Sequence, residues 1–223
     1  APNAKSGAML IDCSTIDVAS AREVGEAMIA KGFAFVDAPV SGGIAAAAGG
    51  QLTFMVGGSD SAFARSQPLL EPMAKAVIHA GALGAGQAAK ICNNMILGAT
   101  MVATCEAFSL AAKLGLDLQT FYDISSKASG QSWSMTSYCP VPGVGPETPA
   151  DHDYDGGFAA ALMLKDLKLA MAAAQEAGTY TPMGGEAEEL YQRFVERGGG
   201  NKDFSAIIQM IDDSWVVPDQ AKE

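Results

Sequence analysis

The chain is poor in residues that several large function classes require. Its 223 residues include two histidines, His79 and His152. A Ser-His-Asp hydrolase needs one of them beside a nucleophile, and no G-x-S-x-G elbow occurs to display that nucleophile. The four cysteines, Cys13, Cys92, Cys105 and Cys139, form no C-x-x-C pair. With so few histidines to join them, no metal centre is expected. Four thiols in a chain of this size do not make a disulfide scaffold, which points to reduced cysteines in a bacterial cytoplasm or a mitochondrial matrix. Cations are scarce as well, with 14 Lys and Arg against 25 Asp and Glu, a net charge of -11. Neutralising phosphates needs clustered Lys and Arg, so no nucleic-acid partner is expected. No signal peptide or long uninterrupted apolar run is visible, and no membrane partner is expected.

What is present is apolar. Hydrophobic residues make up 49% of the chain, enough for a sizeable core. Residues 8–14 form a short apolar run that reads as a buried parallel strand. Ser14 or Asp17 caps a helix running to about Lys31. Further strands are expected at Phe33–Val36, Leu52–Val56 and Val77–Ala80, with a helix at Asp60–Ala74 before the last. The stretch Asp37-Ala38-Pro39-Val40-Ser41-Gly42-Gly43 reads as loop.

The pattern changes at Gly81. No proline occurs from about Gly86 to Leu114, and small and aliphatic residues dominate, predicting one long, mostly buried helix. Helices follow at 117–127, 157–177, 183–197 and 203–211, with a Gly- and Pro-rich loop at 139–157. The fold class is therefore α/β, with a partial Rossmann-type sheet, followed by an all-α helical domain. The expected division is 1–82 and 83–223. The chain opens at Ala1, not Met, and enters a strand almost at once, which reads as an interior position of a longer protein.

Four segments have chemistry in them. Ser41-Gly42-Gly43 lets backbone N–H groups approach an anion such as a carboxylate; a bare Ser-Gly-Gly reads first as a tight turn, and the flanking Asp37-Ala38-Pro39-Val40 makes the signal specific. In Gly84–Asn94, Lys90 and Asn94 stand at i,i+4 and share a helix face. A lysine near a helix N-terminus opposes the macrodipole, and burial favours its neutral amine further, which would suit a general base. A solvated lysine with two packing asparagines is the alternative. Lys165-Asp166-Leu167-Lys168 is either a site or an exposed charge cluster. Trp133 with Tyr138 is either an aromatic wall that excludes water or a small loop cluster.

Taken together, DAPVSGG (37–43), LTFMVGG (52–58), GAGQAAKICNN (84–94) and KDLKLA (165–170) resemble the β-hydroxyacid dehydrogenase family along essentially the whole chain. Trp133, the run Tyr138–Gly143, Tyr154 with Gly156-Gly157-Phe158, and Lys202–Ser205 resemble its 3-hydroxyisobutyrate dehydrogenase branch most. The resemblance implies NAD as cofactor and a small 3-hydroxy acid as substrate. The implied reaction is oxidation of 3-hydroxyisobutyrate to methylmalonate semialdehyde in valine degradation, and the implied assembly is a homodimer or homotetramer. By position it implies Ser41, Gly42 and Gly43 on the substrate carboxylate, Lys90 as base and Asn94 orienting it. It further implies Trp133, Tyr138 and Asp166 around the substrate, and Thr15 and Lys165 at the cofactor.

Two positions depart from the pattern: Ala45 and Lys168 stand where the family has Gly. The larger departure is that no G-x-G-x-x-G turn occurs, so the pyrophosphate cradle and the residue separating NAD from NADP have no match. The expectation that follows is an open sheet edge and poor NAD binding by the chain as it stands. The alternatives are a sibling acting on tartronate semialdehyde, glyoxylate or a serine-like acid, and, of another class, an inactive form serving as a helical assembly module.

Overall fold

The computed structural model describes residues 4–5 and 7–215, and the chain forms two compact units, one ending at Asn93 and one starting at Asn94.

The first unit is built on a five-stranded sheet. Its strands are β1 (Met9–Asp12), β2 (Ala34–Asp37), β3 (Val40–Ser41), β4 (Leu52–Gly57) and β5 (Ala74–Gly81). Helices α1 (Val18–Ala30), α2 (Gly43–Ala48) and α3 (Asp60–Leu70) lie between them. Asp17 caps α1, its side chain accepting from Ser20 N at 2.7 Å, and Ser59 caps α3 in the same way through Ala62 N. Such caps satisfy the amide groups that a first turn leaves unpaired.

The sheet is mixed where the sequence suggested a parallel one. β1 pairs with β2, and β4 with β5, in parallel. β2 and β3 instead run antiparallel to β4, with Asp37 opposite Gly57, Val40 opposite Phe54 and Ser41 opposite Thr53. Chain length explains the reversal. The link between Ser41 and Leu52 holds only the six residues of α2 and its flanks, and a parallel crossover needs about a dozen residues or more. Val40–Ser41, inside the stretch 37–43 read above as loop, is thus a short strand, and a short helix, Gly43–Ala48, starts at that stretch's last residue. Val36, Ala38, Phe54, Val56, Ala62 and Leu70 form the core beneath.

The division between the units falls within α4 (Ala85–Lys113). The second unit continues with α5 (Leu118–Ser125), α6 (Trp133–Thr136), α7 (Ala160–Glu176), α8 (Pro182–Glu196) and α9 (Ile208–Ile211). Phe204–Ile207 is a 3-10 turn ahead of α9, so the helix expected over 203–211 is two shorter pieces. Met101, Cys105 and Phe108 of α4 enter the core with Met163 and Leu167 of α7, Tyr191 of α8 and Ile207. α4 is long and apolar enough to cross a membrane by length and composition. Its burial is one-sided rather than general: Ile96 and Leu110 are exposed while Met101 and Cys105 are sealed. That division is what a core helix of a globular unit shows.

The segment 139–157 is better ordered than a loop reading implies. Thr148 and Asp151 form a reciprocal capping box at the 3-10 turn Pro149–His152. Thr148 Oγ1 donates to Cys139 O, Gly143 N donates to Asp151 Oδ1, and Tyr154 Oη donates to Pro140 O.

Candidate active site

In the first unit, the ends of β1 and β2 shape the chemistry. The buried Asp37 carboxylate closes β2 and accepts from Gly84 N at 2.8 Å and Gln87 N at 2.9 Å. It therefore caps the start of α4 from 47 residues away in sequence. The glycines of the motif are there for space. A Cβ on Gly86 would sit 2.8 Å from Asp37 Oδ2 and 2.8 Å from Asp37 O, and one on Gly57 would meet Gly86 N at 2.8 Å.

Gln87 is wholly buried and turns the order of α4 into order of the β1 loop. Its Nε2 donates to Ser14 O at 2.7 Å, and its Oε1 accepts from Ile16 N at 3.2 Å. Thr15 lies between those two anchored residues. The sequence reading passed over Asp37 and Gln87 as functional positions. Their signal was their place inside the quoted motifs, which does not reveal that they contact each other.

Ser41 ends β3, and Gly42 and Gly43 lead into α2 with φ of 137° and 71°. At both glycines the backbone lies where L side chains are strained, and a Cβ on Gly42 would also meet Ala46 Cβ at 2.6 Å. Lys90 is 8% exposed, so it is no solvated surface lysine.

In the second unit, Asn94 and Asp166 are both buried. Asn94 Nδ2 donates to Asp166 Oδ2 at 2.5 Å, and Lys165 Nζ stands 3.0 Å from Asp166 Oδ1. The Lys165–Lys168 run is therefore not a plain exposed cluster, because its acid faces inward. Asp166 Oδ1 has no hydrogen-bond partner among the described residues. The lysine is near it by charge, off the line that a directed bond requires. A buried acceptor with an open lone pair is costly unless something donates to it.

Trp133 opens α6, capped by Ser132, and is half exposed. Its ring stacks on Tyr138 with centroids 4.8 Å apart and an interplanar angle of 21°. Tyr138 stacks in turn on Phe204, at 5.4 Å. The Tyr138 hydroxyl donates to the buried Asp203 Oδ2 at 2.9 Å. Burial first, and the neighbouring carboxylate second, push that phenol far above its usual range. Sequence reasoning set Asp203 inside a motif without giving it a role.

His79 stacks on Phe63 and bonds Gly58 O through Nε2, while His152 pairs with Glu147. Neither pairing is with a serine or cysteine.

Two family models match the chain. One, described as the NAD-binding domain of NADP-dependent 3-hydroxyisobutyrate dehydrogenase, covers residues 84–211. The other, the NAD-binding domain of 6-phosphogluconate dehydrogenase, covers residues 1–81. A probable 3-hydroxyisobutyrate dehydrogenase of Mycobacterium tuberculosis strain H37Rv is 47% identical over 93% of this chain and 70% of its own length. An NAD-dependent L-serine dehydrogenase of Pseudomonas aeruginosa is 45% identical over 92% of this chain and 69% of its own. Among solved structures, M. tuberculosis 3-hydroxyisobutyrate dehydrogenase with L-serine superposes with a TM-score of 0.88 at 47% identity, covering 93% of this chain and 71% of that one. At that identity and coverage, the chain belongs to the β-hydroxyacid dehydrogenase family, in its 3-hydroxyisobutyrate dehydrogenase branch.

Proposed function

We propose that the protein oxidises 3-hydroxyisobutyrate to methylmalonate semialdehyde with NAD, Lys90 acting as general base. The observation that supports this best is the buried Asn94–Asp166 pair with the exposed Lys165 beside it, and Lys90 itself buried one turn before Asn94 on the same helix. Buried, interlinked polar side chains are costly to a fold, and active sites are where such cost is commonly carried.

The residues present suit the nicotinamide end of NAD, while the pyrophosphate cradle has no match in this sequence. Asp166 Oδ1 is a buried acceptor ion-paired with Lys165 but without a directed hydrogen bond, and, in the first unit, Thr15 sits on a loop pinned on both sides by Gln87. When bound, NAD supplies the hydride acceptor. Thr15 and Lys165 are the residues assigned to hold it. Ser41, Gly42 and Gly43 present backbone donors to the substrate carboxylate, since adjacent positive-φ glycines let main-chain N–H groups come close to an anion. In its neutral form Lys90 Nζ takes the proton of the substrate hydroxyl as a hydride leaves the same carbon. Asn94 orients Lys90 or the substrate, Asp166 steadies the site beside Lys165, and Trp133 and Tyr138 line the substrate pocket.

The L-serine dehydrogenase relative supports a second reading, in which L-serine is the better substrate. Both acids carry a carboxylate and a 3-hydroxyl and differ at C2. NADH absorbance with each acid, using NAD and NADP in turn, compares kcat/KM directly. The dehydrogenase reading expects turnover that Lys90→Met abolishes. No turnover of any 3-hydroxy acid, or full activity of Lys90→Met, would sink it. Ile96, Leu110 and Leu114 are exposed apolar side chains on and just past α4, and they support assembly as a homodimer or homotetramer, which light scattering reads. The free thiols fit a bacterial cytoplasm or a mitochondrial matrix.

A further inference from the structure

We infer that Asp203 is a positioning residue for the substrate pocket: it fixes Tyr138 as a platform on which Trp133 stacks. The inference rests on the assignment of Trp133 to that pocket.

Asp203 is wholly buried and accepts four bonds. Tyr138 Oη and Phe158 N donate to Oδ2 at 2.9 and 2.8 Å, and Ser205 N and Oγ donate to Oδ1 at 2.9 and 2.5 Å. Burial raises its carboxyl above the usual range, against the pull of those donors. The surrounding backbone is committed to this arrangement. Asp203 N donates to Tyr154 O, and Asp153 and Tyr154 hold left-handed φ of 54° and 58°. Lys202 ties the same turn through Asp153 O and Asp155 Oδ1. Gly157 leaves the space: a Cβ there would overlap Asp203 Oδ2 and lie 2.6 Å from Tyr138 Oη. Non-glycine residues at positive φ persist only where their surroundings over-determine them.

The consequence concerns Tyr138. With its hydroxyl given to Asp203 and its ring stacked on Trp133 and Phe204, it meets substrate as an apolar ring edge, not as a hydrogen-bond donor. Trp133 stands on a four-residue helix and is half exposed, so Tyr138 sets the orientation of its indole.

The test uses a Trp215→Phe background, which leaves Trp133 as the single tryptophan. Acrylamide quenching of Trp133, and KM and kcat for 3-hydroxyisobutyrate, are measured for Ser205→Ala, Tyr138→Phe and Asp203→Asn. In Asp203→Asn the amide points a donor at other donors. The expectation is that quenching and KM rise together along the series. For Asp203→Asn, KM climbs on the order of tenfold and kcat changes less than about twofold. In a Trp133→Leu background, Asp203→Asn adds no further rise, since the two changes act through one contact. A KM that rises with quenching unmoved, or an equal rise in both backgrounds, overturns the inference. If Asp203→Asn does not fold, the two milder variants decide by the same rule. Quenching needs no substrate. If the parent protein turns over no 3-hydroxy acid, the function fails while unmoved quenching still refutes, and raised quenching still supports, the Asp203–Tyr138–Trp133 linkage.

Discussion

Removing the Asp37 carboxylate tests how the first unit is held. Asp37→Ala deletes the acceptor of Gly84 N and Gln87 N, at 2.8 and 2.9 Å, in a place where Gly84 and Gln87 are buried and water cannot replace it. Each bond to a charged group is worth about 1.5–3 kcal/mol net, and the orphaned amides add to the loss, so the expected cost is about 3–5 kcal/mol. Asp37→Asn keeps one oxygen acceptor and turns an amide donor toward the other N–H, so its cost is about half. Both tryptophans, Trp133 and Trp215, lie outside this unit, and their fluorescence is a poor report of it. Far-UV circular dichroism in urea gives the stability, and hydrogen exchange gives the location. Exchange should quicken at Gly84 and Gln87, and also at Ser14–Ile16, because Gln87 holds that loop through Ser14 O and Ile16 N. A loss below about 1 kcal/mol, or faster exchange confined to residues 84–87, would refute the reasoning that one carboxylate orders both α4 and the Thr15 loop.

Three further outcomes follow from the same structure. Gly157→Ala should destabilise the second unit by more than about 2 kcal/mol in urea, because it adds a clash to a left-handed backbone at φ 62°; a neutral effect would contradict the described packing. Asp17 and Asp117 cap α1 and α5, and the amide and hydroxyl donors of Ser20 and Thr120 hold their carboxyls below the ordinary 3.8. Depressed folded-state values mean that their stabilisation is present above about pH 4 and is lost as pH falls through the folded values, so a double Asn variant should show a flatter fall of Tm in acid. Cys105 and Cys139 are buried, which pushes Cys105 well above and Cys139 up to about 11; alkylation at neutral pH should spare both until the protein unfolds.

Local chemistry is what the sequence by itself determined. Asp17 beside Ser20 announces a helix start, the proline-free apolar run announces α4, and the alternation of short apolar runs with helices announces the sheet unit. These signals act within one or two turns, so the chain displays them without its partners. The quoted motifs also place Lys90, Ser41, Gly42 and Gly43, but a motif states identity and spacing, not contact. Tertiary structure alone decided that β4 runs antiparallel to β2 and β3, because strand direction depends on how a short link returns. It alone joined Asp37 to Gly84, Asn94 to Asp166 and Tyr138 to Asp203, pairs 47, 72 and 65 residues apart. Each is a buried acceptor meeting a distant donor. Periodicity does not encode such a meeting, since it exists only once packing has excluded the water that would otherwise serve both groups.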